Sequence, residues 1–470
     1  MIEGLKPYAE YKESGLPWLG RCPRHWNVRR TKILFHERVQ KGFPNEPLLA
    51  ATQTKGVVKK EDYETRTVTA QKDLHLLKLV EVGDYVISLR SFQGGIEVAH
   101  CRGIISPAYT VLKPQKQAVS RYYSHFFKAK PFIDSLSLFV TGIREGQNID
   151  YERLSRAEMP MPPKDEQAAI VRFLDHANRK IDGFIRAKRK LIGLLNEQKQ
   201  AIIHRAVTRG LYPDVLLKPS GIPWLGDIPT HWDTPLLGRC LTHIEQGWSP
   251  VGAEGELGER QWCVLTLSAV RRGVFDPEAI KPVSKSADIP RDIEVANGDL
   301  LLTRSNTRDR VGDVCLVKDV RHRTLLCDLI YRLTLRKGAF VPQFLVYQLL
   351  CPLGRGQIEK DARGSSGTMP KISQSHIKAW RVLLPPPEEQ QAIVELIEIE
   401  SGPIDTAIAR TEREIALMKE YRTRLTADLV TGKLDVREAA ANLPEAPAEP
   451  AAEEVLEEEL LEETEPEEAE

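Results

Sequence analysis

Apolar positions along this chain follow two rhythms, and each rhythm occurs twice. From Ile404 the apolar or neutral positions run Ile404, Ile408, Thr411, Ile415, Met418, Leu425 and Leu429, spaced mostly by alternating fours and threes. That is the seam of a heptad helix. The same register earlier in the chain reads Ile181, Ile185, Lys188, Ile192, Leu195, Ile202 and Ala206, with Lys188 and nearby Gln198 as polar intrusions. Each helical stretch opens on an acidic first turn, Asp165-Glu166-Gln167 or Glu388-Glu389-Gln390, which the positive end of a helix dipole favours. The stops fall near Gly210 and Gly432. Proline is comfortable only in a helix's first turn, so Ser401-Gly402-Pro403 predicts a break, leaving a short helix and then a long one. A long piece of roughly 27 residues spans about 40 Å.

The second rhythm is shorter. Segments 27–161 and 233–384 contain brief β-rich runs such as DYVISLR from Asp84, DLLLTRS from Asp299 and VCLVKDV from Val314, punctuated by glycine. Both read as mixed α/β domains with several strands. Each ends at a Pro-rich stop, MPMPP at Met159 to Pro163 or LLPPP at Leu383 to Pro387, and each starts after a Pro/Trp/Gly-rich strap too dense in turn formers to be helical.

The two halves share sequence as well as rhythm. SGLPWLGRCPRHW from Ser14 returns as SGIPWLGDIPTHW from Ser220, with nine of thirteen positions identical. PKDEQAAIV from Pro163 returns as PPEEQQAIV from Pro386, and the register then holds through Asp182/Asp405 to Thr208/Thr431. The offset is 206 residues at the first motif and 223 at the second. A frame is therefore repeated while its filling differs. A long helix cannot bury its stripe alone, and the economical solution packs the two helices antiparallel, with the two variable domains at opposite ends. The alternative is an amphipathic helix lying on its own domain.

Composition alters this picture once. The formal charge of zero hides an asymmetry, because residues 438–470 hold fourteen Glu and no Asp, Lys or Arg; the remainder has 66 basic residues against 52 acidic ones. A body of about +14 attracts a polyanion, nucleic acid first, although a generically basic protein is the plainer alternative. Seven cysteines without a C-x-x-C pair read as reduced thiols in a cytoplasmic protein. No run of eighteen apolar residues and no apolar leader occurs, so a soluble, non-exported protein is expected.

Chemistry is sparse. The chain has no G-x-x-x-x-G-K-[ST] loop, no G-x-G-x-x-G after a strand and no H-E-x-x-H. His25 and His231 recur, each beside the strap tryptophan Trp26 or Trp232, and read as structural imidazoles. No metal or catalytic residue is assigned.

Taken in order, the strap, variable domain, P-x-x-E-Q-x-A-I-V helix opening at Pro163 and Pro386, long helix and exit (AVTRGL at Ala206, LVTGKL at Leu429) resemble the specificity subunit of type I restriction-modification enzymes over roughly residues 14–436. The resemblance implies an α+β protein: two mixed α/β target-recognition domains joined by two long helices packed as an antiparallel coiled coil, with an internal pseudo-two-fold repeat. It divides the chain into a first recognition domain with strap (1–161), a first helical region (162–211), a second recognition domain (212–384), a second helical region (385–436) and a disordered acidic tail (437–470). It also implies a non-catalytic role, reading the two halves of a split site in double-stranded DNA. Two adenine-methyltransferase subunits and restriction motor-nuclease subunits are the implied partners, with S-adenosylmethionine, ATP and Mg expected on them. A free-standing, repressor-like DNA-binding protein is the alternative; an enzyme acting alone lacks the motifs.

Base edges and phosphates are read by Arg, Lys, Asn, Gln, Ser and Thr, and loops on a rigid scaffold are where such residues work. The expected DNA-contacting residues are Arg90, Ser91, Gln93, Arg144, Gln147 and Asn148 in the first domain. In the second they are Arg304, Asn306, Arg308, Ser365, Ser366, Thr368 and Lys371. Solvated turns are the plain alternative for each run. Gln167, Ile170, Ile185, Ile192, Gln390, Ile393, Ile408 and Ile415 are expected to form the helical frame and the docking surface for partners.

The acidic tail yields a test. Its charge should compete with phosphate for the basic body, so truncation after Val436 should tighten binding to random duplex at low ionic strength, with the gain fading as salt rises. Equal affinities across a salt titration would leave the tail without this role.

Overall fold

The computed structural model describes residues 5–53, 55–62, 73–89, 91–116, 118–141, 148–212, 214–222, 225–250, 261–284, 289–362 and 369–444. They form two compact units, one from residues 1–188 and 413–470, the other from 189–412. The content is mixed α and β, and two helices dominate: Lys164–Arg209, of 46 residues, and Pro387–Val430, of 44 residues.

The break expected at Pro403 is absent, and the second helix runs through it. Pro403 sits on the exposed side, so the carbonyl it leaves unpaired can be hydrated, and Thr406 Oγ1 donates to the Gly402 carbonyl at 2.9 Å. The opposite side is held by the buried Ile397, Ser401 and Ile404, whose packing offsets a proline cost of about 3 kcal/mol. The helices are accordingly longer than the sequence suggested, about 69 and 66 Å at 1.5 Å per residue.

Within each unit the two helical halves run antiparallel. In the first unit Lys188 Nζ pairs with Glu414 at 2.7 Å, and Arg422 pairs with Asp182. In the second, Lys199 pairs with Asp405 at 2.6 Å and Arg205 with Glu400 at 3.2 Å. As numbers rise along one helix they fall along its neighbour. Lys188, an intrusion in the sequence pattern, is satisfied by that ion pair, and Gln198 is exposed. Ile181, Ile185, Ile404, Thr411, Leu425 and Leu429 are buried, whereas Ile192, Ile408 and Ile415 are half-buried.

The strap folds as a short hairpin in each unit, Tyr11–Glu13 with Arg21–Pro23 and Leu217–Pro219 with Asp227–Pro229. Its last tryptophan, Trp26 or Trp232, is fully buried against the start of one long helix. Glu166, in that helix's first turn, accepts from Trp26 Nε1 at 2.7 Å and from the Tyr8 hydroxyl, and its other oxygen lies 2.7 Å from His25 Nε2. Glu389 makes the corresponding contacts with Trp232 Nε1 at 3.1 Å and His231 Nε2 at 2.7 Å. The neighbouring glutamines fasten the variable domains. Gln167 accepts from the Val119 amide at 2.9 Å and donates to the Pro162 carbonyl at 2.8 Å; Gln390 accepts from the Val341 amide at 2.8 Å and donates to the Pro385 carbonyl at 2.9 Å. Val119 and Val341 immediately precede helices Ser120–Phe127 and Pro342–Leu350, whose first amides need such acceptors.

The other long helix ends at the same tryptophan. A Cβ on Gly432 (φ +76°) would lie 2.4 Å from Pro23 Cδ and 2.9 Å from Trp26 Cη2, and one on Gly210 (φ +74°) 3.1 Å from Trp232 Cζ2. Left-handed backbone and close approach both require glycine there.

Each variable domain carries an antiparallel four-stranded sheet. The first runs Phe35–Glu37, Thr110–Pro114, Tyr85–Ile87, Glu97–Val98 in spatial order. The second runs Leu241–Gln246, Ile330–Leu335, Leu300–Thr303, Val314–Leu316. The cores beneath differ in chemistry. Phe35, Tyr85, Tyr123, Phe126, Phe127 and Phe132 interlock, largely edge to face, in the first unit, whereas leucines and valines around Phe344 fill the second.

The expected disordered tail begins too early. Arg437–Ala441 is a helix, with Val436 and Ala440 buried and Leu443 packed on the first unit's core, because their spacing of four and three gives an apolar face. The Asp435 amide also donates to the Lys6 carbonyl at 2.8 Å. Residues 445–470, the rest of that tail, lie outside the described residues, and a cut after Pro444 removes thirteen of its fourteen Glu without disturbing this packing.

Trp26→Phe keeps an aromatic ring but deletes the donor to a buried carboxylate, and should cost about 2 kcal/mol. Trp232→Phe should cost less, since its bond is longer and Glu389 is 15% exposed against 2% for Glu166. Chemical unfolding of both variants checks the order.

Candidate nucleic-acid interface

In both units the polar run following the third strand connects it to the fourth. In the second unit the connection is residues 304–313. The Arg304 amide donates to the Leu329 carbonyl at 2.8 Å, and its carbonyl accepts from the Ile372 amide at 2.9 Å. Ser305 forms a β-bridge with Lys371. The Arg304 turn and Lys371, sixty-odd residues apart in sequence, therefore lie side by side.

Their side chains are unequally available. Arg304 is half-buried, its guanidinium 6.0 Å from the Tyr331 ring centroid and 3.4 Å from the Asp328 carbonyl. Ser305 is 1% exposed, and its hydroxyl has no partner among the described residues. Arg308 and Lys371 are exposed and make no salt bridge among the described residues. Asn306 is half-buried, and its side-chain oxygen accepts from the Thr307 amide at 2.8 Å, which leaves the amide group for an outside partner. Asp309 accepts from Thr307 Oγ1 at 2.7 Å, and that bond above all holds its carboxyl below the usual range. Ser365, Ser366 and Thr368 lie outside the described residues.

In the first unit the connection passes through the short helix Ser91–Gly94, which lies against strand Asn148–Ile149. That strand pairs with Val140–Thr141, so the two ends of the second polar run lie side by side near the first run, and residues 142–147 between them lie outside the described residues. Gln93 is exposed. Ser91 leaves the set: it is 2% exposed and its hydroxyl accepts from the Ser88 amide at 2.8 Å, closing the turn from within. Arg90, Arg144 and Gln147, and the side chain of Asn148, lie outside the described residues. The glycines of this run serve packing, since a Cβ on Gly95 (φ +86°) would lie 2.3 Å from the Phe127 carbonyl oxygen.

The residues assigned to the helical frame also separate. Gln167, Ile170, Gln390 and Ile393 are 0% exposed, so they hold the frame and offer nothing to a partner surface. Missed from the sequence were Glu166 and Glu389, read only as favourable first-turn charges; the signal was their recurrence with the strap Trp-His pair. The seven cysteines are free thiols; burial pushes Cys315 up to about 12 and Cys327 up to about 11. No group of residues able to hold a metal and no helix long and apolar enough to cross a membrane occurs among the described residues.

Comparison with known proteins places this arrangement. No protein-family model matches the chain. It is 29% identical over 362 residues to the type I restriction enzyme EcoKI specificity subunit of Escherichia coli (strain K12), covering 73% of this chain and 74% of that one. It is 22% identical over 450 residues to the putative type I restriction enzyme MjaX specificity subunit of Methanocaldococcus jannaschii, covering 89% and 96%. The fold resembles a chain from a solved structure of the type I R-M system, with a TM-score of 0.58 at 15% identity, over 87% of this chain and 98% of that one.

The arginines divide by experiment. Arg308→Ala, at an exposed position, should weaken binding by about 1–3 kcal/mol on cognate duplex if it reads a base, and more weakly but uniformly if it meets phosphate. Arg304→Ala should act likewise on DNA and also lower stability, because its guanidinium packs on Tyr331. Titrations on cognate and scrambled duplexes, with thermal unfolding alongside, separate the two.

Proposed function

We propose that this chain belongs with the specificity subunits of type I restriction-modification enzymes and is the non-catalytic component that reads DNA sequence for them. One observation carries the reading. Two units share a Glu-Gln clasp, an antiparallel helix pair and one strand order, yet present unlike polar loops at the same connection. Identical frames with different loops suit two different half-sites, since phosphate contacts position a protein while base contacts specify sequence.

In this reading the chain has five parts: recognition domains over 1–161 and 212–384, helical regions over 162–211 and 385–444, and an acidic tail from 445. The two long helices form an antiparallel coiled coil relating the domains by an internal pseudo-two-fold. Gln93, Asn306, Arg308, Lys371 and, in part, Arg304 contact DNA, together with Arg90, Arg144, Gln147, Asn148, Ser365, Ser366 and Thr368. Two adenine-methyltransferase subunits dock on the frame and restriction subunits join them; those partners carry S-adenosylmethionine, ATP and Mg. The complex works on cytoplasmic DNA.

Methylome sequencing of the host with and without this gene tests the assignment. The expected result is one asymmetric, split motif lost on deletion. Replacing residues 27–161 with the matching domain of a relative should change one half-site and leave the other unaltered. A contiguous motif, or both half-sites changing together, contradicts the modular reading; specific binding without any methylation points to a free-standing DNA-binding protein.

A further inference from the structure

The connection between third and fourth strands is held from beneath in both units, by different residues in each. In the second unit Arg355, from the helix Pro352–Asp361, reaches under the loop. Its guanidinium donates to the Val311 carbonyl at 3.0 Å and the Asp309 carbonyl at 3.1 Å, and lies 3.5 Å from Asp313 Oδ1. Asp313 is 1% exposed, and its other oxygen accepts from the Arg272 amide at 3.2 Å. Thr303 Oγ1 adds a bond to the Arg310 carbonyl at 2.9 Å. Three successive carbonyls of the loop carrying Arg308 are thus fixed by Arg355, which is 16% exposed, and by the buried Thr303.

The first unit solves the same problem with other residue types. Lys128 Nζ, just after helix Ser120–Phe127, donates to the Gly94 carbonyl at 2.9 Å and the Gln53 carbonyl at 3.0 Å, and pairs with Glu97. Glu97 is 2% exposed and opens the fourth strand, as Asp313 directly precedes it in the second unit. In each pair the acid is buried and the cation partly exposed, and such a pair is weak evidence for stability, because desolvation of the acid consumes most of its Coulomb energy; its better use is to select one arrangement among several. Here each pair lies under a loop whose outward side chains differ between the units.

Resting on the DNA-specificity reading, we infer that Arg355–Asp313 and Lys128–Glu97 are positioning residues, each holding the reading loop of its own domain in one conformation and so setting discrimination at one half-site without touching DNA. An arginine in one unit and a lysine in the other matches the loops they serve. The guanidinium fork spans two carbonyls and an acid in a long loop, whereas a point charge suffices where the short helix Ser91–Gly94 already orders the backbone.

The test uses the full-length chain assembled with its methylating partner, on duplexes bearing the native motif and single-base changes in either half. Arg355→Met should cut discrimination at one half-site by about tenfold or more, the order of one lost base contact, and leave the other half-site unchanged. Lys128→Met should do the same at the opposite half-site. Because a lone buried acid could unfold its domain, the neutral pairs Arg355→Met with Asp313→Asn and Lys128→Met with Glu97→Gln are measured beside the singles, with thermal midpoints recorded. Arg355→Lys should recover only part of the discrimination; Lys128→Arg should recover most of it. Unchanged discrimination in the neutral pairs, or equal loss at both half-sites tracking a lowered midpoint, overturns the inference. A wild-type complex without sequence preference overturns the DNA-specificity reading itself and this inference with it.

Discussion

The structure depends on a carboxylate at the start of each long helix, Glu166 buried and Glu389 half-buried. Glu166 is nearly inaccessible, and it is held by the Trp26 indole and the His25 imidazole of the strap and by the Tyr8 phenol just before it. A buried charge is tolerable only when so saturated, and the saturation forces the strap to one place. The adjacent glutamine uses both ends of its amide on the variable domain and the Pro-rich stop. Two consecutive residues therefore join three parts of a unit, and the glycine at the end of the opposing helix closes the joint against the same tryptophan. Each part alone is poor in cohesion: a hairpin of three-residue strands, a small sheet, and a helix with one apolar stripe.

That joint explains how one frame tolerates different contents. The first unit fills its core with interlocking aromatics and the second with aliphatic side chains, yet both present the same strand order, because the clasp, the paired helices and the helix following Val119 or Val341 set the boundary into which any well-packed filling must fit. The outward side chains of the polar loops between third and fourth strands, such as Gln93 and Arg308, lie outside that packing, although Ile96 and Val311 of the same connections belong to it. Their sequence is free to vary as long as something beneath them restrains the backbone, and an ion pair or a short helix does so without requiring a particular outer residue.

Much of the frame was legible in the sequence because it rests on local and repeated chemistry. Apolar spacing of threes and fours, acidic first turns, a terminal glycine and recurring Pro-Trp segments each have a short-range physical cause, and each corresponds to an element in the structure. Pro403 was misread for the same reason: the cost of an internal proline is local, but the packing of Ile397, Ser401 and Ile404 that offsets it is not. The segment after Val436 was misread through its glutamates, although Val436, Ala440 and Leu443 already carried an apolar spacing suited to a core.

The loops divide along the same line. Composition could nominate Arg304, Ser91 and their neighbours as polar residues on glycine-rich turns, and the order of the repeated motifs could place those turns at matching points. Availability was beyond it. Whether Ser91 faces solvent or closes its own turn, whether Arg304 extends or lies on Tyr331, and whether Lys371 stands beside Ser305 all depend on backbone pairings between residues far apart in the chain. By itself the sequence determined the two long helices, the doubled frame and the basic character of the body, because periodicity and charge are additive properties of neighbouring residues. Only the tertiary structure decided which glutamate is a clasp, which arginine is a brace and which remains free to meet a ligand, because those roles belong to the partners that folding brings within hydrogen-bond reach.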